Sequence, residues 1–185
     1  MDDKRRIILD AALGVFAAKG FHGAAIPDVA KAADVGTGTL YRYFADKEAL
    51  VNEVFRDAKG RLALALDVPA MTDGRAWFVA LWDRLAAFAK AEPDAFRFLE
   101  MQDHVPYLDA KSKRLELAVL APIFLAGTRL RKREPGPPVD VAIALLWGAF
   151  VGLVKASRLG YLTLDDKRLA SARDACWRMI TTTRS

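Results

Sequence analysis

The sequence predicts an all-α fold of about nine helices, with a three-helix unit at the N-terminus and a larger helical body after it. Apolar residues recur at helical spacing almost throughout, and no stretch alternates with a period of two between hairpin turn residues. Glycine and proline clusters cut the chain where those patterns stop.

The first helix is expected over about Lys4 to Lys19, with Ile7, Ile8, Ala11, Ala12, Val15 and Phe16 on one face and Gly20 as its stop. Pro27 suits the first turn of a short second helix through Val29, Ala30 and Ala33, because its missing N–H costs nothing there, and Asp28 complements the dipole. Asp34-Val35-Gly36 turns the chain into a third helix, about Thr37 to Phe44. Two short helices joined by such a turn are a helix-turn-helix by spacing. Asp46 is placed to cap a fourth helix that extends to about Leu66.

Breakers at 67–69 and 72–74 precede a fifth helix, about Arg75 to Ala91. Glu92-Pro93-Asp94 separates it from a sixth reaching about His104. The seventh is expected over about Asp109 to Arg133, kinked by Pro122. A Pro/Gly loop at 134–138 leads to an eighth, about Val139 to Leu159, and a ninth runs from about Asp165 to Thr182.

Composition places the chain among globular proteins: 53% hydrophobic and 28% charged residues. The longest apolar stretch, Val139 to Val154, is interrupted by Asp140, Gly148 and Gly152 and reads as too short to span a bilayer. Met1 to Arg6 is followed by no apolar signal core, so the expected location is cytoplasmic, away from any membrane. Cys176 stands alone, and a small buried hydrophobe is its expected role. The net charge of +5 is unevenly spread. Residues 1–60 carry nine basic and nine acidic side chains, against 19 and 14 in the remainder, so bulk charge does not argue for nucleic acid in the N-terminal part.

The block from Ile26 to Leu50 carries the clearest chemistry. Val29, Ala30, Ala33, Val35, Leu40 and Phe44 can close a miniature core if the two short helices cross. That leaves Thr37, Gly38, Thr39, Tyr41, Arg42 and Tyr43 as a polar and aromatic face without an acid, suited to the negative major groove. Thr37 can offer its hydroxyl and backbone N–H to phosphate, and Gly38 allows close backbone approach. Thr39 can reach a base edge or a thymine methyl. Tyr41 and Tyr43 suit phosphate, with inward packing the alternative for Tyr43, and Arg42 is either a base reader or a solvated charge.

This block, with Ala11-Ala12, Phe16 and Gly20-Phe21 before it, resembles the TetR/AcrR family of regulators, most specifically in Gly38-Thr39-Leu40-Tyr41, Tyr43-Phe44 and Lys47 with Leu50. The resemblance implies a double-stranded DNA operator as partner, with Lys47 as a further phosphate contact. Two departures stand out: Ala24 and Ala25 occupy the place of a Thr/Ser pair that caps the second helix and touches phosphate, and Gly36 replaces a common Ser cap.

The same resemblance implies a DNA-binding domain at 1–47 and a ligand-binding and dimerisation domain at 48–185, the last two helices pairing with those of a second copy. The apolar breadth of the eighth helix suits burial on several sides, and Leu169, Ala172, Cys176, Met179 and Ile180 offer an apolar face on the ninth. Among the many aromatics of the body, ordinary core packing is the competing role. The expected lining of a cavity for a hydrophobic or aromatic effector is Trp82, Phe98, Met101, Phe124, Trp147 and Phe150.

His104 with Glu100 has a spacing open to a metal or to a helix-end hydrogen bond, and His22 reads as a surface turn residue. Arg129 to Arg133 either complements a helix dipole or meets an anion. No metal, cofactor or catalysis is expected, since no nucleophile clusters with a base. The overall expectation is a ligand-responsive dimeric repressor of a palindromic operator; the competing one is a helical small-molecule binder with weakened or lost operator recognition.

Overall fold

The computed structural model describes residues 3–69 and 71–181. Among these residues the regular elements are α1 (Asp3–Gly23), α2 (Ile26–Ala32), α3 (Thr37–Tyr43), α4 (Lys47–Ala65), α5 (Gly74–Ala91), α6 (Pro93–Met101), a 3-10 turn (Val105–Tyr107), α7 (Ala110–Arg131), α8 (Val139–Arg158) and α9 (Asp166–Ile180). No strand occurs among them, as the helical periodicity predicts. Met1 and Asp2, and Thr182 at the expected end of the ninth helix, lie outside the described residues.

Local chemistry sets most helix starts. The Asp46 carboxylate accepts from the Ala49 N–H at 2.7 Å, and Asp165 accepts from the Arg168 N–H at 2.8 Å. Pro27 and Pro93 sit in the first turns of α2 and α6.

Some ends differ from expectation. The α1 segment continues to Gly23, but through a break at Gly20 (φ 71, ψ 172), so the expected stop is a bend followed by one more turn. That conformation is open essentially to glycine alone. Helix α6 ends at Met101 rather than near His104, because Gln102 adopts a left-handed φ of 57. Pro122 lies inside α7, which continues to Arg131.

The chain divides into two compact units. Unit 1 comprises residues 1–65 and 88–119, and unit 2 residues 66–87 and 120–185. The expected 47/48 boundary therefore falls inside unit 1, which groups the short helices with α4, α6 and the start of α7. There α1 packs against α2, α4 and α6, around Ile8, Phe16, Leu50, Phe55, Phe96 and Phe98. Ion pairs join the rims of these helices: Arg5 to Glu53 at 2.7 Å, Arg6 to Asp57 at 2.8 Å and Arg61 to Glu92 at 2.6 Å. Buried Asn52 donates to the Tyr107 carbonyl and accepts from the Asp109 N–H, both at 2.8 Å, which fastens the 3-10 turn to α4.

Unit 2 is built on aromatic contacts between α5, α8 and α9: Trp82 meets Phe150 edge-on at 5.2 Å and Phe78 meets Trp177 at 5.4 Å. Cys176 is buried, as expected, and burial pushes its thiol pKa up. Helix α8 corrects one sequence expectation. At 20 residues it is long and apolar enough to cross a membrane by length and composition, because the helix begins at Val139 and runs past Val154 to Arg158. Only 11% of its most apolar window is buried within the chain.

Candidate nucleic-acid interface

The turn between α2 and α3 is a helix C-cap followed directly by a new start. Asp34 adopts a left-handed φ of 52, its N–H bonds the Lys31 carbonyl at 3.2 Å, and the Val35 N–H bonds the Ala30 carbonyl at 3.0 Å. These two bonds satisfy the last carbonyls of α2 and reverse the chain within three residues. Gly36 then caps α3 in an extended conformation with no side-chain hydrogen bond.

Val29, Ala30, Ala33, Leu40 and Phe44 are buried and Val35 is half-buried, so the expected miniature core closes. With Leu40 turned inward, Thr37, Gly38, Tyr41 and Arg42 are exposed and Thr39 and Tyr43 half-buried. A Cβ added at Gly38 would meet nothing within 4 Å among the described residues, so their packing does not require glycine there.

Lys47 opens α4, half-buried, with its ammonium 4.4 Å from the centre of the Phe21 ring. Phe21 is itself stacked on Tyr107 at 4.2 Å. A cation held over an aromatic face keeps its charge and loses some of its freedom. It stands at a helix N-terminus, where backbone N–H groups and the dipole also favour an anion.

The start of α2 shows what replaces the absent Thr/Ser pair. Ala25 offers no side-chain cap, but Asp28 reaches back to the Ala25 N–H at 3.4 Å and accepts from Lys19 at 2.7 Å. The Lys19 hydrogen bond, followed by the Ala25 N–H, holds the Asp28 carboxyl below its ordinary value. Thus the helix end is satisfied from within, without a hydroxyl for phosphate.

Of the residues expected to line an effector cavity, Trp82, Phe124, Trp147 and Phe150 lie in unit 2, and Phe98 and Met101 in unit 1. Phe98 stacks on His104 at 4.3 Å, and the Met101 methyl lies beside Gly20. Phe124 is 39% exposed, whereas Trp82 and Phe150 are buried against each other. A cavity of about 600 Å³ in unit 2 is lined by other residues, including Val68, Trp77, Leu130 and the cations Arg129, Lys132 and Arg133. The only sequence signal for it was the run of basic residues ending the seventh helix.

His104 is almost fully buried between Phe98 and Phe55, with Asp103 at 3.8 Å. Burial lowers its pKa, so folding favours the neutral imidazole over the charged one. His22 is exposed and packs edge-on against Phe21 and Tyr107.

Comparison with known proteins agrees with this geometry. Residues 8–54 match the profile of "Bacterial regulatory proteins, tetR family", and residues 56–182 match that of "Tetracyclin repressor-like, C-terminal domain". Over 54 residues the chain is 39% identical to the fatty acid metabolism regulator protein of Bacillus subtilis, covering 29% of this chain and 28% of that one. Over 75 residues it is 36% identical to the regulator BetI of Klebsiella pneumoniae, covering 40% and 38%. These alignments span well under two thirds of the relatives' length.

Whole-fold likeness extends further. A TetR family regulator of Marinobacter aquaeolei superposes with a TM-score of 0.84 at 23% identity, over 97% of this chain and 96% of that one. Bacillus subtilis FadR, solved in complex with stearoyl-CoA, superposes with a TM-score of 0.72 at 18% identity, over 97% and 99%. The two profiles together cover nearly all of the described residues, and the chain belongs to the TetR family of DNA-binding transcriptional regulators.

Proposed function

We propose that this chain is a ligand-responsive repressor that binds a palindromic operator as a homodimer and is released by a small hydrophobic or aromatic effector. The observation that carries the DNA contact is the acid-free exposed face of α3, with Thr37, Gly38, Thr39, Tyr41, Arg42 and Tyr43 beside the held Lys47. Tyr41 and Lys47 anchor phosphate, and Thr39 and Arg42 reach base edges.

Pairing through α8 and α9 is supported by exposed Val141, Leu145 and Met179 on helices that otherwise leave apolar surface in water. Added Cβ atoms at Gly148 and Gly152 would meet nothing within 4 Å among the described residues, which leaves α8 room for a close-packed second copy. Two recognition helices related by a two-fold axis read half-sites in successive major grooves.

Release requires the effector to bind the non-operator spacing more tightly than the operator-bound one, since equal affinity shifts nothing. We place the effector in unit 2, which holds Trp82, Phe124, Trp147 and Phe150; the contacts of Phe98 and Met101 make them candidates for transmission within unit 1. The long acyl tail of the stearoyl-CoA bound by Bacillus subtilis FadR supports an effector with an apolar part here.

Operator selection with the purified full-length chain is expected to enrich a palindrome whose binding weakens steeply with salt. Hydrogen bonds to charged groups contribute about 1.5 kcal/mol or more each. Tyr41→Ala combined with Lys47→Ala is therefore expected to weaken operator binding about a hundredfold, with helicity and dimer unchanged. Unchanged affinity in that double variant sinks the assignment of the face. Recovery of no motif favours a helical small-molecule binder, a reading to which the hydroxyl-free start of α2 lends support.

A further inference from the structure

We infer that the unit 2 cavity between Val68, residues 71–74 and the end of α7 takes an amphiphile with one anionic head group, a phosphate or carboxylate, on an apolar tail. The inference rests on reading unit 2 as the effector-binding half. The cavity measures about 600 Å³, within the range of small-molecule sites. Half-buried Val68, Trp77, Ala126 and Leu130 supply its apolar part. Arg129, Lys132 and Arg133 are exposed along its edge.

The charges do not cancel locally. Of the two acids at the cavity, Asp73 is committed to capping α5, its carboxylate accepting from the Arg75 N–H at 2.8 Å and the Ala76 N–H at 3.3 Å. Glu134 is the other, so two acids face three cations and one positive charge remains in excess. Arg133 spends one N–H on the Thr72 carbonyl at 2.8 Å, which ties Thr72 to the end of α7 and leaves its other donors. Arg129 and Lys132 have no ion pair or side-chain hydrogen bond among the described residues. Basic residues in a last helical turn also complement the dipole, but that role needs no apolar hollow beside them.

The pairing of the two surfaces selects the ligand. A wholly apolar molecule would fill the apolar part and leave the three cations at its edge with no anion to meet. A compact anion would satisfy the cations and leave Trp77 and Leu130 in contact with water. A single head group on a tail meets both needs, and guanidinium forks suit either phosphate or carboxylate oxygens.

The test is calorimetric titration of the purified chain with decyl phosphate below its micelle concentration, with decan-1-ol and with inorganic phosphate at one ionic strength. Decyl phosphate is expected to bind at least about tenfold more tightly than either comparison molecule. Arg129→Glu with Lys132→Glu is expected to remove that preference, and Trp77→Gln to weaken decyl phosphate while leaving inorganic phosphate unchanged. If charge reversal prevents folding, Arg129→Gln with Lys132→Gln serves with the same expected direction. Equal affinity for the alcohol and the alkyl phosphate, equal affinity for inorganic phosphate, or wild-type binding in the charge variants overturns the site. Operator binding is followed in parallel. Decyl phosphate that binds with the expected preference without releasing DNA supports the site and overturns its reading as the effector site, while release by another effector with no decyl phosphate binding overturns the site alone.

Discussion

The backbone N–H of Phe21 donates to the Asp103 carboxylate at 2.5 Å, across 82 residues of sequence. It fixes the last turn of α1 to the loop after α6, immediately beyond the bend at Gly20. The same Phe21 ring carries Lys47 on one side and packs on Tyr107. Asp103→Ala would leave a part-buried N–H unpaired and is expected to cost about 1–3 kcal/mol, with Asp103→Asn milder because it keeps an acceptor. Gly20→Ala is expected to cost a similar about 1–3 kcal/mol for its backbone alone, and its Cβ would fall 2.5 Å from the Asp103 oxygen. Urea denaturation of the three variants checks the order.

Gly38 separates stability from DNA contact. It lies inside α3 with open space where a Cβ would be, so Gly38→Ala is expected to raise stability by about 0.5–1 kcal/mol. The added methyl intrudes where backbone is proposed to approach DNA, and operator affinity is expected to fall by about 1 kcal/mol or more. Thermal melts and fluorescence anisotropy with the selected operator measure the two effects; equal or better operator binding argues against close approach at this point.

The exposed side of α8 tests the dimer. Val141 and Leu145 are each 42% exposed. Leu145→Lys would place a charge against apolar surface of a second copy, and is expected to weaken association about tenfold or more. Sedimentation velocity over a concentration series reads the change. A variant as dimeric as the parent chain would move the interface elsewhere.

His104 and Asp109 make opposite ends of the pH range informative. Burial holds the folded His104 pKa below its ordinary 6.5, with Asp103, Glu116 and Lys59 the nearby charges. The unfolded chain therefore binds more protons below 6.5, so this contribution is complete above that value and declines as pH falls beneath it. Asp109 is held down to about 2, chiefly by the Ser112 N–H and also by the Ser112 hydroxyl and Arg56. Its contribution persists above the ordinary 3.8 and is lost as pH falls from there toward about 2. Stability against pH is expected to flatten in the upper window for His104→Gln and in the lower for Asp109→Asn, each relative to the parent. Parallel curves in a window rule out the corresponding titration.

Adjacent residues explain how much could be read early. Asp46 caps α4 through an N–H three residues away, and the α2 to α3 turn closes on carbonyls within the preceding helix. Such contacts span few residues, so side-chain chemistry and spacing reveal them. Gln102 gave no comparable warning: its left-handed conformation ends α6 early, and His104 then turns inward against Phe98.

By itself, the sequence determined the helical class, the helix-turn-helix and its outward face, because the period of apolar residues says which side of a helix avoids water and local caps say where it stops. Tertiary structure decided the partners. Phe98 and Trp82 look alike as apolar aromatics in a helical pattern, yet one packs with α1 and His104 and the other with α5 and α8 neighbours. Nothing in helical periodicity distinguishes these destinations, since burial free energy depends on area removed from water and hardly on which apolar surface removes it. For the same reason the cavity bounded by Trp77, Leu130, Arg129 and Lys132 became visible only when segments some fifty residues apart were brought together.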